Sequence, residues 1–234
     1  MNETLSPPRS PALRQALLWA VLAASVFPAC LGRRPVLAPP SEEVSAVEGF
    51  GQARIEGDET ALKGRFSFLF RNPDLGRLDV LDPIGRTAYF IIVREGSAHF
   101  VVPSKRIYAV EPIESLAGQL LGFPFRPGEA VSLLCDRWSG REAGPDSPGW
   151  TLVTDSGGRT IGGRREGLSF EVRDFFGKAG VPRAVDFSDG RISGRIKILS
   201  VRFNPLPRPE AFDTGFSRVF VRLSWEELEE LLKE

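Results

Sequence analysis

Apolar and polar residues alternate along most of the chain from about residue 50 onward. In "ALKGRFSFLF" (61–70), Leu62, Gly64, Phe66, Phe68 and Phe70 fall on one face, and Lys63, Arg65 and Ser67 on the other. That period of two predicts a half-buried antiparallel strand. "FGQARIEG" (50–57), "LGRLDVLD", "TAYFIIVRE", "SAHFVVP" and "KRIYAVEP" read as further strands, separated by turn residues such as Glu95-Gly96. "GWTLVTDS", "LSFEVRDFF", "VPRAVDFS", "RISGRIKILSVRF" and "SRVFVRLS" continue the series, with Leu168, Phe170 and Val172 on one side of their strand. Short strands in this number predict a mainly β chain with one large, curved antiparallel sheet or barrel.

Two segments switch to helical spacing. In "PIESLAGQLLGF" the apolar positions are Ile113, Leu116, Ala117, Leu120 and Leu121, with Pro112 placed to start the helix and Gly122 to stop it. In "PGEAVSLLCDRW" they are Val131, Leu134, Cys135 and Trp138, after Pro127. Each helix has one apolar stripe to bury, and the large apolar surface on offer is the concave side of the sheet. A third helix ends the chain, where Ser224 and Glu227 form a capping box before Leu228, Leu231 and Leu232. A curved sheet roofed by a helical hairpin encloses an apolar space. Side chains either fill such a space or leave it open as a ligand pocket.

The turn Asp82-Pro83-Ile84-Gly85-Arg86 breaks the usual chemistry of turns, because it carries a bare isoleucine where small or polar residues are normal. Pro83 fixes φ and Gly85 can take φ > 0, which leaves Ile84 at the apex.

The N-terminal region adds a location. Arg9 and Arg14 precede "ALLWAVLAASVFPAC", which has no charge and is shorter than the ~20 apolar residues of a membrane span. That layout predicts a cleaved signal peptide over residues 1–29. Ala29 followed by Cys30 resembles the lipobox of bacterial lipoproteins, although Phe27 and Pro28 depart from its usual residues. In such proteins the cysteine is acylated and becomes the new N-terminus. Residues 30–47, rich in Pro and small or charged residues, then form a lipidated, flexible tether. Residues 48–234 form one domain of ordinary length.

Charge and chemistry mostly exclude. Thirty basic residues balance thirty acidic ones, so nothing points to a nucleic-acid surface. Cys30 and Cys135 are the only cysteines, and an acylated Cys30 leaves no disulfide. Cys135 reads as a buried, inert residue. The single histidine, His99, sits mid-strand with no triad or metal-ligand spacing around it, and is expected to be a strand residue with a satisfied ring. "GRREG" and "DSGGRTIGG" are Gly-rich but precede no helix, so neither resembles a phosphate loop. No enzyme activity, cofactor or metal is expected.

The run "LDPIGRTAYF" followed by "PIESLAGQLLGFPFRPGEAVSLL" resembles the LolB-like members of the LolA/LolB superfamily of lipoprotein-localisation proteins. Pro83, Ile84, Gly85 and Thr87 match that family's Pro-Leu-Gly turn and the threonine after it. Glu114, Gly118, Gly122 and Pro124 match its Glu-x-x-x-Gly-x-x-x-Gly helix and the exit from it. The resemblance covers residues 50 to 140; beyond them "SGREAGPDSPGW" and "NPLPRPEAFDTG" read as local elaborations. It implies an unclosed antiparallel β-barrel with a helical lid, whose concave face takes the acyl chains of a lipoprotein. It also implies that Ile84 stands where the family carries an exposed leucine implicated in passing lipoproteins into the membrane.

The expected cavity wall is Phe66, Phe68, Phe90, Ile92 and Phe170, with Leu116 and Leu120 beneath the lid. The face chosen for β-strand residues Phe90 and Ile92 depends on register, since a one-residue slip inverts every assignment. The expected protein is a monomer, lipid-anchored in the outer membrane and facing the periplasm. Its expected partners are acylated lipoproteins and a periplasmic LolA-like carrier. The alternatives are a structural envelope lipoprotein with a packed core, or a carrier of another amphiphile such as a glycolipid.

Overall fold

The computed structural model describes residues 37, 43–57, 61–121, 126–138, 149–177 and 180–233. The segment expected to be a signal peptide, Cys30, Gly122 and Pro124 lie outside them. Leu37–Glu234 separates as one unit. All its apolar clusters draw on residues between Val44 and Leu231, so this unit carries its own core and folds on it.

Twelve strands form a single sheet. They are β1 (Ala46–Glu56), β2 (Ala61–Arg71), β3 (Leu75–Leu81), β4 (Thr87–Arg94), β5 (Ser97–Val102), β6 (Ile107–Pro112), β7 (Thr151–Thr154), β8 (Thr160–Arg165), β9 (Leu168–Phe175), β10 (Pro182–Ser188), β11 (Ser193–Phe203) and β12 (Val221–Arg222). Their spatial order is β12-β6-β5-β4-β3-β2-β1-β11-β10-β9-β8-β7. Every pairing is antiparallel except that of β12 with β6. Among the described residues β12 and β7 remain edges, so the barrel is unclosed, as the family resemblance implies; the strand pattern alone leaves the choice between sheet and barrel open.

Among the described residues the α-helices are α1 (Ile113–Leu121), α2 (Pro127–Cys135) and α3 (Trp225–Lys233). The capping box of α3 forms as expected, with the Glu227 N–H donating to Ser224 Oγ at 3.2 Å and the Ser224 N–H to Glu227 Oε2 at 2.8 Å. Helix α2 stops earlier than its apolar spacing suggests. Asp136 takes φ 53° and ends it, leaving Trp138 beyond the helix.

The inner face of the sheet carries three packed regions. Beneath α1 and α3 lie Ile91, Val93, Ala98, Phe100, Leu116, Trp225 and Leu228. Beneath α2 lie Val47, Phe68, Val131, Leu134, Cys135 and Ile198. At the far end Ile55, Phe170, Val172, Val185 and Phe187 meet Trp138 and Trp150.

Two local expectations fail. "SRVFVRLS" is not a strand but a 3-10 turn (Gly215–Arg218) followed by the two-residue β12. The phenylalanine just before it is the reason: Phe216 meets Phe90, His99 and Tyr108 edge-on, at ring distances of 5.7, 6.2 and 5.5 Å. That packing takes the segment out of an extended path. Conversely, β8 is a strand hidden in a Gly-rich stretch. A Cβ on Gly163 would come within 2.5 Å of the Phe170 ring, and one on Gly162 within 2.9 Å of the Phe170 carbonyl oxygen. Here glycine allows an aromatic side chain to lie flat on the sheet.

Candidate functional site

A cavity of about 250 Å³ lies between the inner face of the sheet and helices α1 and α2. Phe66, Phe68, Phe70, Leu78, Val80, Tyr89, Ile91 and Val93 supply its sheet wall, and Leu116, Ala117, Leu120, Ala130, Leu133 and Leu134 its helical roof. Arg65 and Arg77 are the charged residues at its margin. The Arg77 guanidinium turns to the outer face, where it binds Asp79 and the Ala211 carbonyl. The Tyr89 phenol faces the apolar interior, and burial raises its pKa.

Of the wall residues expected from sequence, Phe66, Phe68, Leu116 and Leu120 line this cavity. Phe90 and Ile92 do not. They sit on the outer face, and Tyr89 and Ile91 take the inner positions. From Ala88 to Val93 the stretch "AYFIIV" is hydrophobic throughout, so the strand offers two hydrophobic faces and its sequence cannot say which is inside. The deciding element is the segment from Asn204 to Phe220, which crosses the outer face like a strap. Phe212 from this strap packs with Leu69 and Ile92, and Phe216 with Phe90. The Arg77 guanidinium lies 4.7 Å over the Phe90 ring.

Phe170 also needs correction, because it lies on the inner face but not in the cavity wall. Its ring stacks on Trp138 at 5.7 Å and meets Trp150 edge-on at 5.1 Å, filling that end of the sheet. His99 faces the strap, with Nδ1 buried and without a partner, contrary to the satisfied ring expected. Burial first, then the nearby Arg222 charge, lowers its pKa and holds it neutral at pH 7. Cys135 is buried as expected, and burial pushes its thiol up to about 11.

The two roof helices are held unequally. Helix α2 buries Pro127, Ala130, Val131, Ser132, Leu134 and Cys135. Glu129 in its first turn receives hydrogen bonds from Trp150 Nε1 (2.9 Å) and the Arg126 N–H (3.0 Å), and forms an ion pair with Arg165 on β8. Asp136 at its other end accepts from the Thr160 N–H at 3.0 Å. Helix α1 has two buried anchors, Ile113 and Leu116, worth about 1.5–3 kcal/mol each. The ion pair Arg126–Glu114 joins it to α2, but both partners are half exposed, which makes the link weak. Helix α1 is therefore the less firmly held part of the roof.

The Asp82–Arg86 turn projects from the β3–β4 end. Asp82 Oδ1 accepts from the Ile84 N–H (3.0 Å) and the Arg86 N–H (2.8 Å), while Oδ2 accepts from Arg86 Nε (2.9 Å). The Arg86 backbone hydrogen bond, aided by its side chain, lowers the Asp82 pKa. Gly85 takes φ 87°. Ile84 is 74% exposed.

The molecule contains its own control for that turn. Asp155-Ser156-Gly157-Gly158-Arg159, between β7 and β8, repeats the geometry. Asp155 Oδ1 accepts from Gly157 N–H (2.9 Å) and Arg159 N–H (3.0 Å), and Gly158 takes φ 80°. Glycine stands there in place of Ile84, so the turn needs no side chain at its apex.

Neither a protein-family model nor a curated protein matches the sequence. Solved structures match in fold. A putative outer membrane lipoprotein-sorting protein domain from Vibrio parahaemolyticus is similar with a TM-score of 0.50 at 9% identity, over 75% of this chain and 92% of that one. A LolA superfamily protein from Nitrosomonas europaea gives 0.48 at 14% identity, over 76% and 93%. At such identities what is shared is the architecture alone: a curved, unclosed sheet with helices across its concave side.

Proposed function

We propose that this protein is an envelope lipoprotein that holds acyl chains against the concave face of its sheet and passes lipoproteins into the outer membrane. In this reading Cys30 carries the lipid anchor, a periplasmic LolA-like carrier delivers the cargo, and no bond is made or broken. The observation that carries it is the apolar cavity roofed by a weakly held helix. The fold likeness to a lipoprotein-sorting domain supports it, and so does a bare isoleucine at an apex that does not need one. The cavity falls just below the ~300–1,000 Å³ of small-molecule sites, so an acyl chain enters only as α1 lifts away.

Ala117 lines the cavity from α1, and Ala117→Trp fills the space without altering any residue of the sheet. A solvatochromic fatty-acid probe binds the wild-type Leu37–Glu234 unit and fails to bind this variant, while the melting temperatures stay close. A folded wild type that takes up no probe favours the second reading, a structural envelope lipoprotein. The specific support for that reading is how little of the inner face its packed clusters leave open.

A further inference from the structure

The strap covers only the lower part of the outer face. Above it, strands β11, β1 and β2 present two cross-strand rows whose register is unusual. In one row Arg195 lies opposite Arg54, and Arg54 opposite Lys63. In the next, Lys197 and Arg65 flank Gln52. Residues directly opposite on one sheet face have Cβ atoms ~4.5–5.5 Å apart, and like charges there repel. The chain as a whole is neutral, so this concentration is local rather than a general excess of basic residues.

Local counter-charges quench only part of it. Glu56 pairs with Arg54, and Asp186 with Arg195 and Arg173. Lys63, Arg65 and Lys197 have no carboxylate partner among the described residues. A face that keeps Lys63, Arg65 and Lys197 unpaired beside further cations accepts repulsion in the free state, and an anionic surface relieves it. The position identifies that surface. Arg65 lies opposite Leu81, the residue before the Asp82–Arg86 turn, so the cationic rows run up to the exposed Ile84. Cations bordering an apolar tip are the composition of interfacial membrane binding, in which headgroups meet the charges and the tip enters the acyl layer. An acidic polypeptide satisfies the charges but leaves the isoleucine without a role.

We propose that the outer face of β11, β1 and β2 docks on anionic phospholipid headgroups, with Ile84 entering the bilayer at its margin. This rests on the membrane-facing reading above and adds the class of lipid. The test uses the Leu37–Glu234 unit, which lacks any lipid anchor, and vesicles of phosphatidylethanolamine with or without phosphatidylglycerol. Wild type sediments with the anionic vesicles far better than with the neutral ones, and added salt weakens it. Arg54→Gln/Lys63→Gln/Lys197→Gln loses about fivefold per charge, roughly a hundredfold in all. None of these three residues lines the cavity, so the variant binds the fatty-acid probe as wild type does. It also melts no lower, because it removes repulsion rather than packing. Equal binding to both kinds of vesicle, or wild-type binding by the triple variant, overturns the proposal. So does binding of soluble polyglutamate without binding of anionic vesicles, which reassigns the face to an acidic protein. Failure of wild type to take up the probe sinks the carrier reading alone and leaves the vesicle result standing.

Discussion

Replacing Ile84 with Glu separates an ornament from a membrane-entering side chain. The side chain is 74% exposed, and fully burying an isoleucine is worth about 1.5–3 kcal/mol, so its entry into lipid contributes about 1–2 kcal/mol. That equals roughly a 5- to 30-fold change in membrane partition. Glutamate forfeits this gain and adds the cost of bringing a carboxylate toward hydrocarbon. Nothing in the fold should notice, because Asp82 holds the turn through backbone N–H groups and the Asp155–Arg159 turn does the same around Gly157. Melting of Ile84→Glu is therefore expected within about 0.5 kcal/mol of wild type. The assay loads wild type, Ile84→Glu and Ile84→Leu with a fluorescent acylated peptide and follows its transfer to vesicles. Leu transfers like wild type, whereas Glu keeps its cargo and transfers at least several-fold more slowly. Equal transfer by the Glu and Leu variants would refute the reasoning and return Ile84 to the status of a surface residue.

Two further outcomes follow from the packing. The Glu129 and Arg165 side chains are only 11% and 13% exposed, so Glu129→Ala breaks a nearly buried ion pair and removes the acceptor of Trp150 Nε1, at a cost of about 3–5 kcal/mol. The melting temperature should fall by roughly 6–20 °C, with much of it restored in Glu129→Leu/Arg165→Met; a loss under ~1 kcal/mol contradicts the buried pair. Hydrogen bonding from Arg195, then Arg173, lowers the Asp186 carboxyl from an ordinary 3.8 to about 2. A depressed carboxylate stabilises the folded state above its unfolded pKa and loses that contribution as pH falls through the folded one. The stability gap between wild type and Asp186→Asn is then full at neutral pH and closes between about pH 4 and 2; a gap unchanged at pH 2 speaks against the pairing.

Period-two alternation in β2 and β9, helical spacing in α1 and α2, and the Ser224–Glu227 cap were readable in the sequence because each rests on local stereochemistry and one-sided burial. The Asp82–Arg86 turn was readable for the same reason, since proline, glycine and an aspartate that caps its own turn act within five residues. Tertiary structure alone decided which face of "TAYFIIV" is inside. Both faces of that strand are apolar, and the choice belongs to Phe212 and Phe216, more than a hundred residues away along the chain. It also decided that Gly162 and Gly163 belong to a strand, because the reason for glycine there is the backbone and ring of Phe170 across the sheet. The cationic rows were equally invisible. Arg195, Arg54 and Lys63 come from three separated strands, and only the register of β11 on β1 and β1 on β2 makes them neighbours. A sequence states what each segment can bury; the partner that arrives from elsewhere in the chain determines what it does bury.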